Sequence, residues 1–181
     1  MVKVHPALGA ILCLLAFSSC EKSRQESATH PPDPNSNTMP SSYPDAVDAE
    51  KVGDYPALAH AGGGFVWDEV LEYRVWCHPE NGSPDELDGD DYFYPFATYH
   101  DAKKFSEVTK GAEEPLALIL QREWIDEPTP GDYRHVTEER ITEWPVEFLQ
   151  RPRRSPVTIP NFLSPDAPPN RLEILRGTAS P

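Results

Sequence analysis

Leu71-Glu72-Tyr73-Arg74-Val75-Trp76-Cys77 alternates between apolar and polar or bulky side chains. Side chains of a strand point to opposite faces with a period of two, so Leu71, Tyr73, Val75 and Cys77 fall on one side and Glu72, Arg74 and Trp76 on the other. The pattern predicts a strand with one buried face. Beyond it an acidic loop runs from Glu80 to Asp91, and Tyr92-Phe93-Tyr94-Pro95-Phe96 reads as a second strand. Pro95 places that strand at an edge or a bulge, because proline donates nothing to a ladder. Thr98, with Asp101 three residues on, resembles a capping box, and Gly111 supplies a stop. The helix between them carries Tyr99, Ala102, Phe105 and Val108 along one side. From Leu116 to Leu120 both faces are apolar, and the alternation then continues to Ile125, as suits a central strand. The turn Asp126–Gly131 leads to strand segments around Tyr133–Val136 and Arg140–Trp144. Pro145 suits the first turn of a short helix with Val146, Phe148 and Leu149. The layout condenses to β-β-α-β-β-α. It predicts an α+β domain over 65–150, with a small, mainly antiparallel sheet.

The flanks differ in composition. Residues 65–150 hold 21 acidic and 7 basic side chains, whereas 151–181 hold 2 acidic and 5 basic. Only 7 of the 21 prolines lie within 65–150. Residues 20–64 therefore read as a flexible tether ending at Gly62-Gly63-Gly64, and 151–181 as a Pro-rich basic tail. In that tail Ile159, Phe162 and Leu163 can dock on the domain, and Arg171–Arg176 can form one or two helical turns. A net charge of −14 argues against nucleic acid and against docking of the domain on an anionic membrane face. It leaves a basic envelope partner as the one the acidic surface suits, and the basic tail should lie on that same surface.

At the amino terminus Lys3 precedes an apolar run from Ala7 to Phe17, too short for a membrane span and suited to a signal peptide. Leu15-Ala16-Phe17-Ser18-Ser19-Cys20 resembles the lipobox of bacterial lipoproteins. The resemblance implies that residues 1–19 are removed, that Cys20 receives a diacylglyceryl group and that its new amino terminus is acylated, palmitate being the usual acyl group. The membrane would then be reached through this N-terminal lipid anchor, with the domain in the cell envelope facing the periplasm. Glu21 in place of aspartate makes the outer membrane the default. Two other readings stay open: Ala16-Phe17-Ser18 fits an ordinary secretory cleavage site, and translation from Met39 would leave a cytoplasmic protein. Of the three cysteines only Cys77 lies in the domain, so no disulfide framework supports it.

Candidate sites are few. Cys77 and His78 are adjacent on a strand, point to opposite faces and cannot act as nucleophile and base. Cys77 reads as a buried structural thiol. His78, His100 and His135 lack zinc-ligand spacing. The loop Asp85, Asp88, Asp90 and Asp91 is the candidate cation site, set against a solvated acidic loop, since EF-hand spacing fails. Glu138, Glu139 and Glu143 near His135 invite an acid–base reading, but on these strands Glu139 and Glu143 most simply face water. Trp67, Tyr73, Trp76, Tyr92, Tyr94, Phe96, Trp124 and Trp144 read mainly as core; an exposed stripe of them would mark a groove. Asn81-Gly82-Ser83 matches a glycosylation sequon, which carries no weight behind a bacterial lipobox.

Three strings carry a further resemblance: residues 71–82, Gly-Ala-Glu-Glu-Pro-Leu-Ala-Leu (111–118) and Glu-Arg-Ile-Thr-Glu-Trp-Pro-Val-Glu-Phe-Leu (139–149). Together they resemble a family of small bacterial proteins, some of whose members are classed as GNAT-type N-acetyltransferases. The resemblance implies acetyl-CoA and acyl transfer. That fold holds the coenzyme pyrophosphate on an Arg/Gln-x-x-Gly-x-Gly/Ala turn after its central strand. Here the strand runs into Gln121-Arg122-Glu123-Trp124 without glycine, so no catalytic residue carries over and no cofactor is expected. The sequence thus favours a lipid-anchored binding or envelope-structural domain, with an acetyl-CoA-dependent acyltransferase as the alternative.

Overall fold

The computed structural model describes residues 43–179, all within one compact unit. The expected signal peptide over 1–19, Cys20 and Met39 lie outside the described residues. Seven strands and three helices follow in order: β1 His60–Ala61, β2 Glu69–Cys77, β3 Tyr92–Phe96, α1 Tyr99–Val108, β4 Leu116–Gln121, β5 Trp124–Thr129, β6 Asp132–Val136, β7 Arg140–Pro145, α2 Thr158–Leu163 and α3 Arg171–Leu175. Five strands form one sheet in the order β1-β7-β4-β2-β3, parallel only between β1 and β7. β5 and β6 form a separate hairpin. The fold is α+β with a mainly antiparallel main sheet, as the order of strand and helix patterns implied.

The sheet is covered on both faces, not one. On the first face Tyr73 and Val75 of β2, Ala117 and Ile119 of β4 and Trp144 of β7 pack with Ala102 of α1 and Leu149 of the 3-10 turn Val146–Gln150. Thr98 caps α1 as expected, accepting the Asp101 N–H at 3.1 Å. The helix stops at Val108, which is 79% exposed, so the apolar stripe ends one position early. On the second face Leu71, Leu118 and Leu120 pack with Tyr55, Ala59 and Ile141. Leu71 does not share the Tyr73 face because β2 carries a register shift between Val70 and Glu72, and a bulge moves every side chain before it to the other side.

Chain that composition marks as tether packs on both faces, Tyr43 on the first and Tyr55 and Ala59 on the second. From Tyr43 onward the segment is packed. Tyr43 meets the Tyr99 ring edge-on, the Tyr73 hydroxyl donates to the Pro44 carbonyl at 2.5 Å, and His60–Ala61 pair with β7. Boundaries at 65 and 150 are therefore too narrow for the packed unit. The tail is equally part of it. Ile159, Phe162 and Leu175 form a third apolar cluster with Val66 and Ile125. Arg154 bonds Asp68 through Nε at 2.8 Å, and its backbone N–H donates to the Trp67 carbonyl at 2.7 Å. Docking of Ile159 and Phe162 and the short helix α3 agree with the sequence. The other arginines do not act as surface ion pairs: Arg151 lies 4.0 Å over Phe148, Arg153 donates to the Asp68 carbonyl and Arg171 to the Phe162 carbonyl.

The predicted central strand over 116–125 is broken into β4 and β5. The Asp68 carboxylate accepts the Arg122 N–H at 2.7 Å, and the Ile125 N–H bonds Gly64 O at 3.1 Å, so the chain is drawn out of the main sheet.

Candidate functional site

Two charged residues of β2, Glu72 and Arg74, are fully buried. A buried ion is tolerated only when its hydrogen-bonding capacity is met. Here it is met by the N-terminal segment. Arg74 donates from Nε to Glu72 Oε1 at 2.7 Å and from Nη1 to Glu143 Oε1 at 2.8 Å. Its remaining bonds go to the carbonyls of Pro56 at 2.8 Å and Ala57 at 3.2 Å. The Gly53 N–H closes the group on Glu72 Oε2 at 2.7 Å, and the Phe93 ring lies 4.3 Å from the guanidinium carbon. The cluster clamps residues 53–57 onto the sheet.

Past the clamp the segment joins β7 in a ladder only from His60 onward. Before that point lies a cleft of about 560 Å³, lined by Pro56, Leu58, Ala59 and His60 and by Glu139, Arg140 and Ile141. Leu58 is 89% exposed at its mouth. Alternation along β7 puts Glu139, Ile141 and Glu143 on the cleft side. The Arg140 side chain goes the other way. Its Nε donates to Gln121 Oε1 at 2.8 Å, its guanidinium lies 3.7 Å over the Trp124 ring, and burial draws its pKa below the ordinary arginine value against the pull of Asp126. A smaller hollow of about 290 Å³ lies in the tail between α2 and α3.

The other sequence-derived candidates are placed as follows. Cys77 is fully buried, and burial pushes its thiol pKa up. His78 is on no catalytic pair with it. Its Nδ1 lies 2.9 Å from Asp91 Oδ1 and its Nε2 3.0 Å from Glu113 Oε1, and the hydrogen bond to Asp91, above all, raises its pKa. His135 lies 2.9 Å from Glu123, not from Glu138, Glu139 or Glu143. Those three do not converge: Glu138 and Glu139 are exposed, while Glu143 turns inward to Arg74, against the expectation that it faces water. Asp85 and Asp91 are not aimed at a common point, since Asp85 Oδ1 caps the Gly89 N–H at 2.8 Å and Asp91 holds His78. Among the described residues no group of three or more His, Cys, Asp or Glu side chains is arranged to hold a metal ion. The named aromatics are buried or half-buried, and among the described residues none of the large exposed apolar side chains is aromatic. Ser83 is buried, its hydroxyl donating to Lys110 O at 2.9 Å.

Sequence reasoning missed the clamp and the cleft. Glu72 and Arg74, opposite charges two apart on a strand with Glu143 on another, were a usable signal; Tyr55-Pro56-Ala57-Leu58-Ala59 was a second. No family model matches the chain, and neither a curated protein nor a solved structure matches it. Among the described residues no helix is long and apolar enough to cross a membrane.

Proposed function

We propose that the chain is a bacterial lipoprotein, anchored in the cell envelope by acylation of Cys20, whose acidic domain binds a partner without transforming it. The anchor rests on the apolar run that ends at Leu15-Ala16-Phe17-Ser18-Ser19-Cys20. The observation that carries the binding half is the clamp. Two fully buried charges are committed to fixing one wall of the cleft between residues 56–60 and 139–141, and a preformed wall lowers the ordering a bound partner must suffer. The acyltransferase alternative is less well supported. Where the family's pyrophosphate turn would follow β4, the Arg122 amide is already taken by the Asp68 carboxylate, whose charge opposes a phosphate.

The test joins two measurements. Growth with an alkyne-bearing fatty acid should label the wild-type chain but not Cys20→Ala, which should leave the membrane fraction or stay unprocessed. Unlabelled wild-type protein removes the anchor. Calorimetry of the purified chain with acetyl-CoA should give no saturable heat, and a saturable signal at micromolar concentration restores the enzyme reading.

A further inference from the structure

The cleft between residues 56–60 and β7 has a definite chemistry. Its floor is apolar, with Ile141 and Ala59 belonging to the packed cluster on Leu71 and Leu118. Its mouth carries Leu58, and its one carboxylate is Glu139, exposed and without a hydrogen-bond or ion-pair partner among the described residues. Glu143, next but one along the same side, is already matched by Arg74 at 2.8 Å. The Arg140 guanidinium, the nearest fixed cation in the sequence, is held on the opposite face by Gln121 and Trp124. An apolar channel with an unmatched carboxylate at one end complements a long aliphatic stem with a cation at its tip, which is the form of lysine and arginine. The surrounding field has the same sign. Residues 43–179 carry 27 acidic against 13 basic side chains, and Glu138 stands exposed beside Glu139. An anionic ligand would meet repulsion from both; a basic one is drawn in.

We infer that this cleft receives a lysine or arginine side chain from an extended basic segment of another protein, its stem lying against Leu58, Pro56 and Ile141 and its cation on Glu139. The inference rests on the binding reading above and names the partner that reading leaves open. The clamp supplies the geometry, since Arg74 fixes the carbonyls of Pro56 and Ala57 and so sets the width of the channel.

The experiment uses the full chain in mild detergent and fluorescence anisotropy with three labelled peptides of equal length: alternating lysine and leucine, the same peptide with norleucine for lysine, and the same with glutamate. The lysine peptide should bind and the other two should not. Glu139→Gln removes one charge-assisted hydrogen bond and should weaken the lysine peptide about tenfold. Leu58→Ser, at an exposed position that cannot disturb folding, should weaken it as well. Glu107→Gln, on the exposed side of α1, should leave binding unchanged. Equal binding of the norleucine peptide overturns the cationic specificity while leaving an apolar binding cleft. An equal loss in Glu107→Gln shows diffuse attraction by the acidic surface and overturns the site. Insensitivity to both Glu139→Gln and Leu58→Ser also overturns it. None of these results touches acylation at Cys20 or the acetyl-CoA titration, so failure here is separable from failure of the proposed function.

Discussion

Arg74→Met keeps the aliphatic volume on β2 and removes the cation on which the clamp converges. In the native chain that guanidinium bonds two carboxylates and two carbonyls, all between 2.7 and 3.2 Å. The variant leaves Glu72 fully buried with the Gly53 N–H as its remaining partner. Stranding a buried charge in this way costs about 3–5 kcal/mol, whereas losing an exposed pair costs about 0–1 kcal/mol. Domain stabilities are about 5–15 kcal/mol, so the loss is a large fraction of the whole and corresponds to a fall in Tm of about 10–20 °C. Urea unfolding followed by tryptophan fluorescence measures it. Because residues 53–57 lose their hold, native-state proteolysis should open there first. Adding Glu72→Gln to Arg74→Met should recover part of the loss, since the stranded charge is gone, and Arg74→Lys should fall between wild type and methionine because one ammonium cannot reach four acceptors. A loss below about 1 kcal/mol for Arg74→Met would refute the claim that this cluster is a buried, mutually dependent unit.

His78, gripped between Asp91 and Glu113, has a folded-state pKa above its ordinary 6.5. Its stabilising contribution should therefore be complete below pH 6.5 and disappear as pH rises through the raised value; in urea titrations across that range His78→Gln should flatten this component of the profile. Deleting 151–181 strips Ile159, Phe162 and Leu175 from Val66 and Ile125, a destabilisation on the order of 5 kcal/mol from apolar burial. That loss should differ little between low and high salt, and a strong salt dependence would show that the tail is held by charge instead. Gly64→Ala should destabilise by about 2–4 kcal/mol, since Gly64 has φ +82° and a new Cβ would stand 2.2 Å from Gln121 Nε2; circular-dichroism melting checks it, and an unchanged melt would refute the close approach.

The sheet was legible because its central strands are unusually plain: Tyr73 and Val75 alternate with polar residues, and Leu116–Leu120 is apolar on both faces. The helix α1 was legible from Thr98 and Asp101, since the Thr98 hydroxyl accepts the Asp101 N–H as an N-cap does. What escaped depends on contacts distant in sequence. Polar alternation at Glu72 and Arg74 looks the same whether water or a clamped segment covers it, and only the partner at Glu143 distinguishes the two. The bulge that moves Leu71 leaves no compositional mark. Low hydrophobicity over 43–64 suggested a tether because the segment is held largely by backbone N–H and carbonyl groups, which composition does not display. The same blind spot hid the cleft: Glu139 was singled out and is exposed, but its neighbours Leu58 and His60 lay in a stretch set aside.

The tail's attachment also bears on the order in which the chain can fold. Trp67 bonds Arg151 across 84 residues and Asp68 bonds Arg154 across 86. Closing such long loops lowers entropy only slowly with length, yet contacts this remote delay folding. As a nascent chain emerges, β2, β3, α1 and β4 can assemble with one another, while β1 has no ladder to join until β7 appears. Val66 and Ile125 then stay uncovered until the stretch from Ile159 to Leu175 arrives to close over them. A chain interrupted before that point would present a half-built apolar surface to proteases and chaperones, and so the segment made after β7 decides when the rest becomes a finished molecule.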